Sequence, residues 1–135
     1  MSELLLIANA GDGTISTLRL EREPQPRLEV LATSGSVEGC GTFAIDPASD
    51  LVFAAYKGEA PGIATLRLDR GTGRLTELAR RATSHSMTYL SLARGGRALL
   101  GVSYGGGCGS VWPIDGPTLG DPHSQFSYDN LHCIV

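Results

Sequence analysis

Few residues in this 135-residue chain have types and settings that suggest chemistry, and they gather in three short stretches. His132 stands in Asn130–Val135 (NLHCIV), His85 in Ser84–Met87 (SHSM) shortly before Tyr89, and Tyr104 opens the run Tyr104–Gly107 (YGGG). An imidazole accepts and donates a proton near neutral pH, so His132 is a candidate general base or ligand-positioning group. The matching reaction is attack of an activated water on an ester carbonyl, with hydrogen-bond donors stabilising the oxyanion. Gly105, Gly106 and Gly107 let a ligand approach backbone N–H groups closely. The candidate set is therefore His132 for catalysis, with Tyr104, Gly105, Gly106, Gly107, His85 and Tyr89 for substrate binding.

Each of these also has a plainer reading. His132 reads equally as a hydrogen-bonded histidine at a strand end, and His85 and His123 as surface loop residues. Tyr104 and Trp112 read as packing residues, and the glycine run as a turn. Arg19 and Arg67 sit between leucines on alternating strands, which makes them solvated charges. No G-x-S-x-G elbow, H-E-x-x-H helix or phosphate-binding P-loop is present. Cys40, Cys108 and Cys133 are too scattered for a disulfide framework or a C-x-x-C metal site, so no metal and no cofactor is expected.

What must position these side chains is a repeat. Leu4–Glu21, Leu51–Asp69 and Ala98–Asp115 each read as an apolar strand, a glycine-containing turn, an alternating strand and an acidic residue. Leu18, Leu66 and Trp112 correspond, as do Leu20, Leu68 and Ile114, at intervals of about 47 residues. Further strands follow at Arg27–Thr33 and Arg74–Thr83, and others precede the hairpins at Thr42–Asp46 and Tyr89–Ala93. Four short strands per unit of that length is the period of a propeller blade.

The fold class is all-β, built from four-stranded antiparallel blades with helix nearly absent. Blade boundaries fall at about 1–38, 39–86 and 87–128, with 129–135 opening a further blade. Strands are expected near 4–9, 14–21, 27–33, 42–46, 51–56, 62–69, 74–83, 89–93, 98–104 and 109–115. The last strand of the third blade is weak, because GPTLGDPHSQ is a poor β sequence, and Leu131–Val135 reads as the first strand of the next blade. Because strands alternate in direction, Gly105–Gly109, Lys57–Gly62 and Gly11–Gly13 share a face with Gly39–Gly41, Ser84–Met87 and Asn130–His132. The innermost strands line the axis, which puts His132, His85 and Tyr89 near one mouth of a central channel. No pair of basic side chains converges there.

Composition narrows the partners. Eighteen glycines and a net charge of −3 describe a turn-rich chain with no electrostatic footprint for nucleic acid or anionic membrane. Glu3 precedes a short apolar run at Leu4–Ala8, so no signal peptide is read and a cytoplasmic location is expected. No run approaches the ~18 apolar residues of a membrane span.

Ser91–Asp115 (SLARGGRALLGVSYGGGCGSVWPID) resembles the blade signature of the β-propeller lactonases of the 6-phosphogluconolactonase type. The likeness lies in Leu90–Leu92, Gly96–Arg97, Tyr104–Gly107 and Val111–Ile114. Thr42–Asp50 resembles the same element one blade earlier, and Asn130–Val135 the histidine-bearing start of the following blade. The resemblance covers essentially the whole chain, matched to roughly the first third of a family member. It implies a seven-bladed propeller, of which about three blades are present here. It also implies hydrolysis of 6-phosphogluconolactone to 6-phosphogluconate in the pentose phosphate pathway, with a small phosphorylated sugar lactone as partner. Tyr89 stands where the family commonly has histidine, and Cys108 displaces a serine after the glycine run. The arginine and glutamate that the family places in later blades have no counterparts among these residues. Two alternatives stand beside this reading: a truncated propeller without autonomous activity, and a protein-binding propeller, which lacks its Gly-His and Trp-Asp marks. Self-association through unfinished blades is a further expectation, as is little turnover from the 135 residues alone.

Overall fold

The computed structural model describes residues 2–135, and every regular element among them is a strand. β1 (Ser2–Asn9), β2 (Thr14–Glu21) and β3 (Arg27–Ser34) form a three-stranded antiparallel sheet. β4 (Thr42–Asp46), β5 (Leu51–Tyr56), β6 (Gly62–Leu68) and β7 (Leu75–Ala82) form a four-stranded one in sequence order. A third sheet holds β8 (Tyr89–Ala93), β9 (Ala98–Ser103), β10 (Cys108–Asp115), β11 (Thr118–Leu119) and β12 (Ser124–Ser127). The first two sheets, and the third as far as β11, are meanders whose neighbours in sequence are neighbours in space, which is the blade arrangement the repeat implies.

The ten expected strands all form, with ends that shift by no more than two residues. Two features differ from expectation. The outer edge of the third blade, read as weak, is closed by two short strands, with β11 pairing the end of β10 and β12 its beginning. The break falls opposite Pro113, whose nitrogen has no proton to donate to an outer partner. Leu131–Val135, expected as a strand, forms none. It runs beside β8, where the Ser91 hydroxyl donates to the Ile134 carbonyl at 2.8 Å. One side-chain hydrogen bond does not make a ladder, so strand character is lost.

A regular defect recurs in the outer strands. The register of β2 with β3 shifts between Thr17 and Leu18, and that of β6 with β7 between Thr65 and Leu66. Leu31 and Leu78 are the extra residues, one in each outer strand. At the matching place in the third blade, Val111 pairs with Ser124 and Ile114 with Leu119, so the bulge has opened into the loop Gly120–His123.

Packing between blades makes the core. Ile15, Val37, Cys40, Val52, Ala54, Ala64 and Leu66 fill the space between the first and second blades. Phe53, Ala55, Ile63, Met87, Leu90, Leu99 and Trp112 fill that between the second and third. The middle blade is therefore covered on both faces. This is why β5 (LVFAAY) reads as a nearly continuous apolar run rather than an alternating one.

Candidate functional site

The tight turns at the ends of β1, β5 and β9 lie on one face with the segments that lead from blade to blade. Backbone bonds join them: Val37 N–H donates to Gly13 O at 3.0 Å, Lys57 to Glu38 O at 2.8 Å, and Tyr128 to Gly107 O at 3.0 Å. On this face an open cleft of about 500 Å³ is lined by Gly41, Lys57, Ser86, Met87, Thr88, Tyr104, Gly105 and His132. Its volume falls within the range of small-molecule sites.

His132 is held at two points. Its Nδ1 lies 2.9 Å from the Asn130 carbonyl oxygen. A carbonyl only accepts, so Nδ1 is the donor, and in the neutral ring Nε2 is then the acceptor. The Tyr104 ring meets the imidazole edge-on, with centroids 4.8 Å apart and planes at 60°. Thr88 supplies a third feature. Its Oγ1 accepts the Tyr104 N–H at 2.8 Å, fixing the turn, and the hydroxyl proton remains available to a ligand.

Three of the residues singled out in the sequence thus meet around one cleft: His132, Tyr104 and Gly105. Tyr104 is 48% exposed and touches His132, so its reading as a packing residue between blades is corrected; Trp112 alone fills that role. His85 and Tyr89 do not line the cleft. His85 lies against Gly106 in the glycine run. A Cβ placed on Gly106 would stand 2.5 Å from His85 Cγ, so glycine at 106 makes room for that ring. Tyr89 is half-buried in β8, paired with Val102. Gly107 turns the chain with φ of 57° rather than facing the cleft.

Lys57, Ser86 and Thr88 were absent from the sequence-based set although they line the cleft. The signal for Lys57 was present, since strand direction puts Lys57–Gly62 on the same face as Gly105–Gly109. Among the described residues no group of three or more His, Cys, Asp and Glu side chains is arranged to hold a metal ion. Among the described residues no helix is long and apolar enough to cross a membrane.

Comparison with known proteins agrees with the blade architecture. A protein from Bacteroides fragilis, described as a candidate 6-phosphogluconolactonase, superposes with a TM-score of 0.81 at 19% identity. The match covers 95% of this chain and 37% of that one. A similar candidate from Bacteroides uniformis gives 0.80 at 16% identity, covering 93% of this chain and 37% of the other. The periplasmic gluconolactonase of Pseudomonas aeruginosa gives 0.78 at 16%, again over 93% and 37%. The chain thus spans little more than a third of these relatives' length, and at such identities the likeness establishes the fold. No curated protein matches the sequence. The sequence profile of the lactonases with a seven-bladed β-propeller matches residues 5–130, so the chain belongs to that family.

Proposed function

We propose that these blades carry one side of a lactone-hydrolase site, and that the substrate is a sugar lactone, 6-phosphogluconolactone, opened to 6-phosphogluconate. The observation that carries this is the contact of His132 Nδ1 with the Asn130 carbonyl, which leaves Nε2 of the neutral ring as the acceptor in a cleft that also presents hydroxyl groups. A water hydrogen-bonded to Nε2 gives up its proton as its oxygen bonds to the lactone carbonyl carbon. The Asn130 carbonyl, at 2.9 Å from Nδ1, holds the ring in this orientation through the step. Hydroxyls of Ser86, Thr88 and Tyr104 are the donors on this side of the cleft for the tetrahedral oxyanion. As the intermediate collapses, the ring C–O bond breaks and the imidazolium returns its proton to the departing oxygen. Water has then added across the ester bond, leaving a carboxylic acid and an alcohol.

The test uses the longest polypeptide that carries these residues. Lactone disappearance is followed above its spontaneous rate, for the parent and for His132→Ala. Loss of general-base catalysis is expected to lower kcat about a hundredfold with thermal stability unchanged. Parent-level turnover in the variant removes His132 from the mechanism, and no turnover in the parent removes the lactonase reading.

A further inference from the structure

Lys57 is the only lysine in the sequence, and the fold holds it with care. It begins the turn between β5 and β6, its N–H donating to the Glu38 carbonyl at 2.8 Å. Its stem lies across the bare Cα of Gly39. A Cβ there would stand 3.0, 3.2 and 3.3 Å from Lys57 Cβ, Cγ and Cδ, in a residue whose φ is 66°. Glycine at 39 therefore both turns the chain and leaves a channel for the lysine stem.

The Lys57 side chain is exposed, and no carboxylate lies within ion-pair distance of it among the described residues. Arg80 and Arg81, the arginines at the end of β7, are paired with Glu77 at 2.6 Å and Asp121 at 3.0 Å. Lys57 forms no ion pair among the described residues, and no carboxylate lines its cleft. Two glycines line the same cleft without any need of the backbone for glycine. A Cβ on Gly41 or Gly105 would meet nothing within 4 Å, and neither residue has left-handed φ. Their bare Cα atoms leave open space in the cleft that Lys57 and His132 also line.

We propose that Lys57 is the specificity-determining residue for a phosphate monoester on the sugar lactone, separating phosphorylated lactones from neutral ones. This rests on the reading of the cleft as the lactone site. A phosphate monoester carries close to two negative charges at neutral pH, and an ammonium supplies up to three donors to its oxygens. His132 acts at the carbonyl and Lys57 at the distal anion, so its removal alters binding without altering the chemical step.

The experiment measures binding by calorimetry, with 6-phosphogluconate and gluconate as probes, for the parent, Lys57→Met and Lys57→Arg. Lys57→Met is expected to weaken 6-phosphogluconate about tenfold and leave gluconate unchanged, while Lys57→Arg retains most of the affinity. Raising the ionic strength to about 1 M is expected to shrink the difference between parent and Lys57→Met. In turnover, Lys57→Met raises KM for the phosphorylated lactone and leaves kcat alone. Equal loss for both probes, no loss for either, or no binding by the parent overturns the proposal. Binding of 6-phosphogluconate through Lys57 without lactone turnover leaves this assignment standing and overturns the hydrolase reading. Turnover with an unchanged preference for phosphorylated over neutral lactone in Lys57→Met does the reverse.

Discussion

The first and second blades begin from the same repeat and end in opposite environments. In the second, Phe53 is 1% exposed and β5 is covered from both sides. In the first, Leu4, Leu6 and Ala8 face the second blade, while Leu5, Ile7, Leu28 and Val30 stand 37%, 49%, 57% and 61% exposed. The register shows that these four share one face, with Leu5 and Val30 both opposite Leu18. A blade's apolar content is thus set by the repeat, and its burial by its neighbours. The same leucine is worth a great deal or nearly nothing according to which side of the sheet it occupies.

That contrast is open to direct measurement. Phe53→Ala, between the second and third blades, is expected to cost about 3–5 kcal/mol in chemical denaturation, because a large cavity opens in a packed interface. Val30→Ala, on the open face, is expected to change stability by no more than about 0.5 kcal/mol. Comparable losses would mean that the open face is covered in solution.

A smaller effect of opposite sign is expected inside the first blade. Thr17 is fully buried in β2 and its Oγ1 has no hydrogen-bond partner. Thr17→Val keeps the shape and removes the stranded hydroxyl, so a gain of about 1 kcal/mol is expected in the same titration. A loss would show that the hydroxyl finds a partner in solution.

Thiol chemistry reads the same comparison without mutation. Cys40 lies between the first two blades, where burial pushes its thiol pKa up, and its Sγ–H points to the Thr42 carbonyl at 3.6 Å. Cys133 is exposed. An aromatic disulfide reagent is expected to label Cys133 at once and Cys40 only as the first blade opens. Prompt labelling of Cys40 would mean that the first blade is loosely held.

The smallest expected effect is on acid stability. Asp69 accepts N–H bonds from Gly71 and Thr72 in the turn after β6, and Thr72 and Gly71 hold its carboxyl below the usual range. Glu3, on β1, is lowered by its hydrogen bond to Arg22. A carboxylate with a depressed folded pKa adds stability above its unfolded pKa and loses it as pH falls through the folded value. Asp69→Asn is therefore expected to flatten the acid limb of the stability profile slightly; an unchanged limb would mean that the turn does not rely on the charge.

The strand plan was legible because hydrophobic pattern and turn glycines repeat, and Leu18, Leu66 and Trp112 sit in matching places. β11 and β12 were not, since their residues have little β preference and are recruited by the unpaired edge of β10. Leu131–Val135 failed in the other sense, having strand-like residues but too few backbone partners. At the site, the shared face of His132 and Gly105 followed from strand direction alone. The contact of Tyr104 with His132 did not, because it depends on how the residues after β12 fold back. Lys57 did not stand out in the sequence because no second basic residue lies near it in the chain, whereas its place on the cleft follows from the fold.

The bulge that recurs in each outer strand bears on how such a chain changes length over generations. Two blades accommodate one surplus residue there, Leu31 or Leu78, and in the third Gly120–His123 stand opposite Trp112 and Pro113, a surplus of two. Inner strands have no such tolerance, since a single added residue flips every later side chain to the opposite face. Insertions taken up at the rim lengthen a peripheral loop and leave Tyr104, Thr88 and Lys57 in register. The rim is where this architecture can vary freely while its cleft is inherited intact.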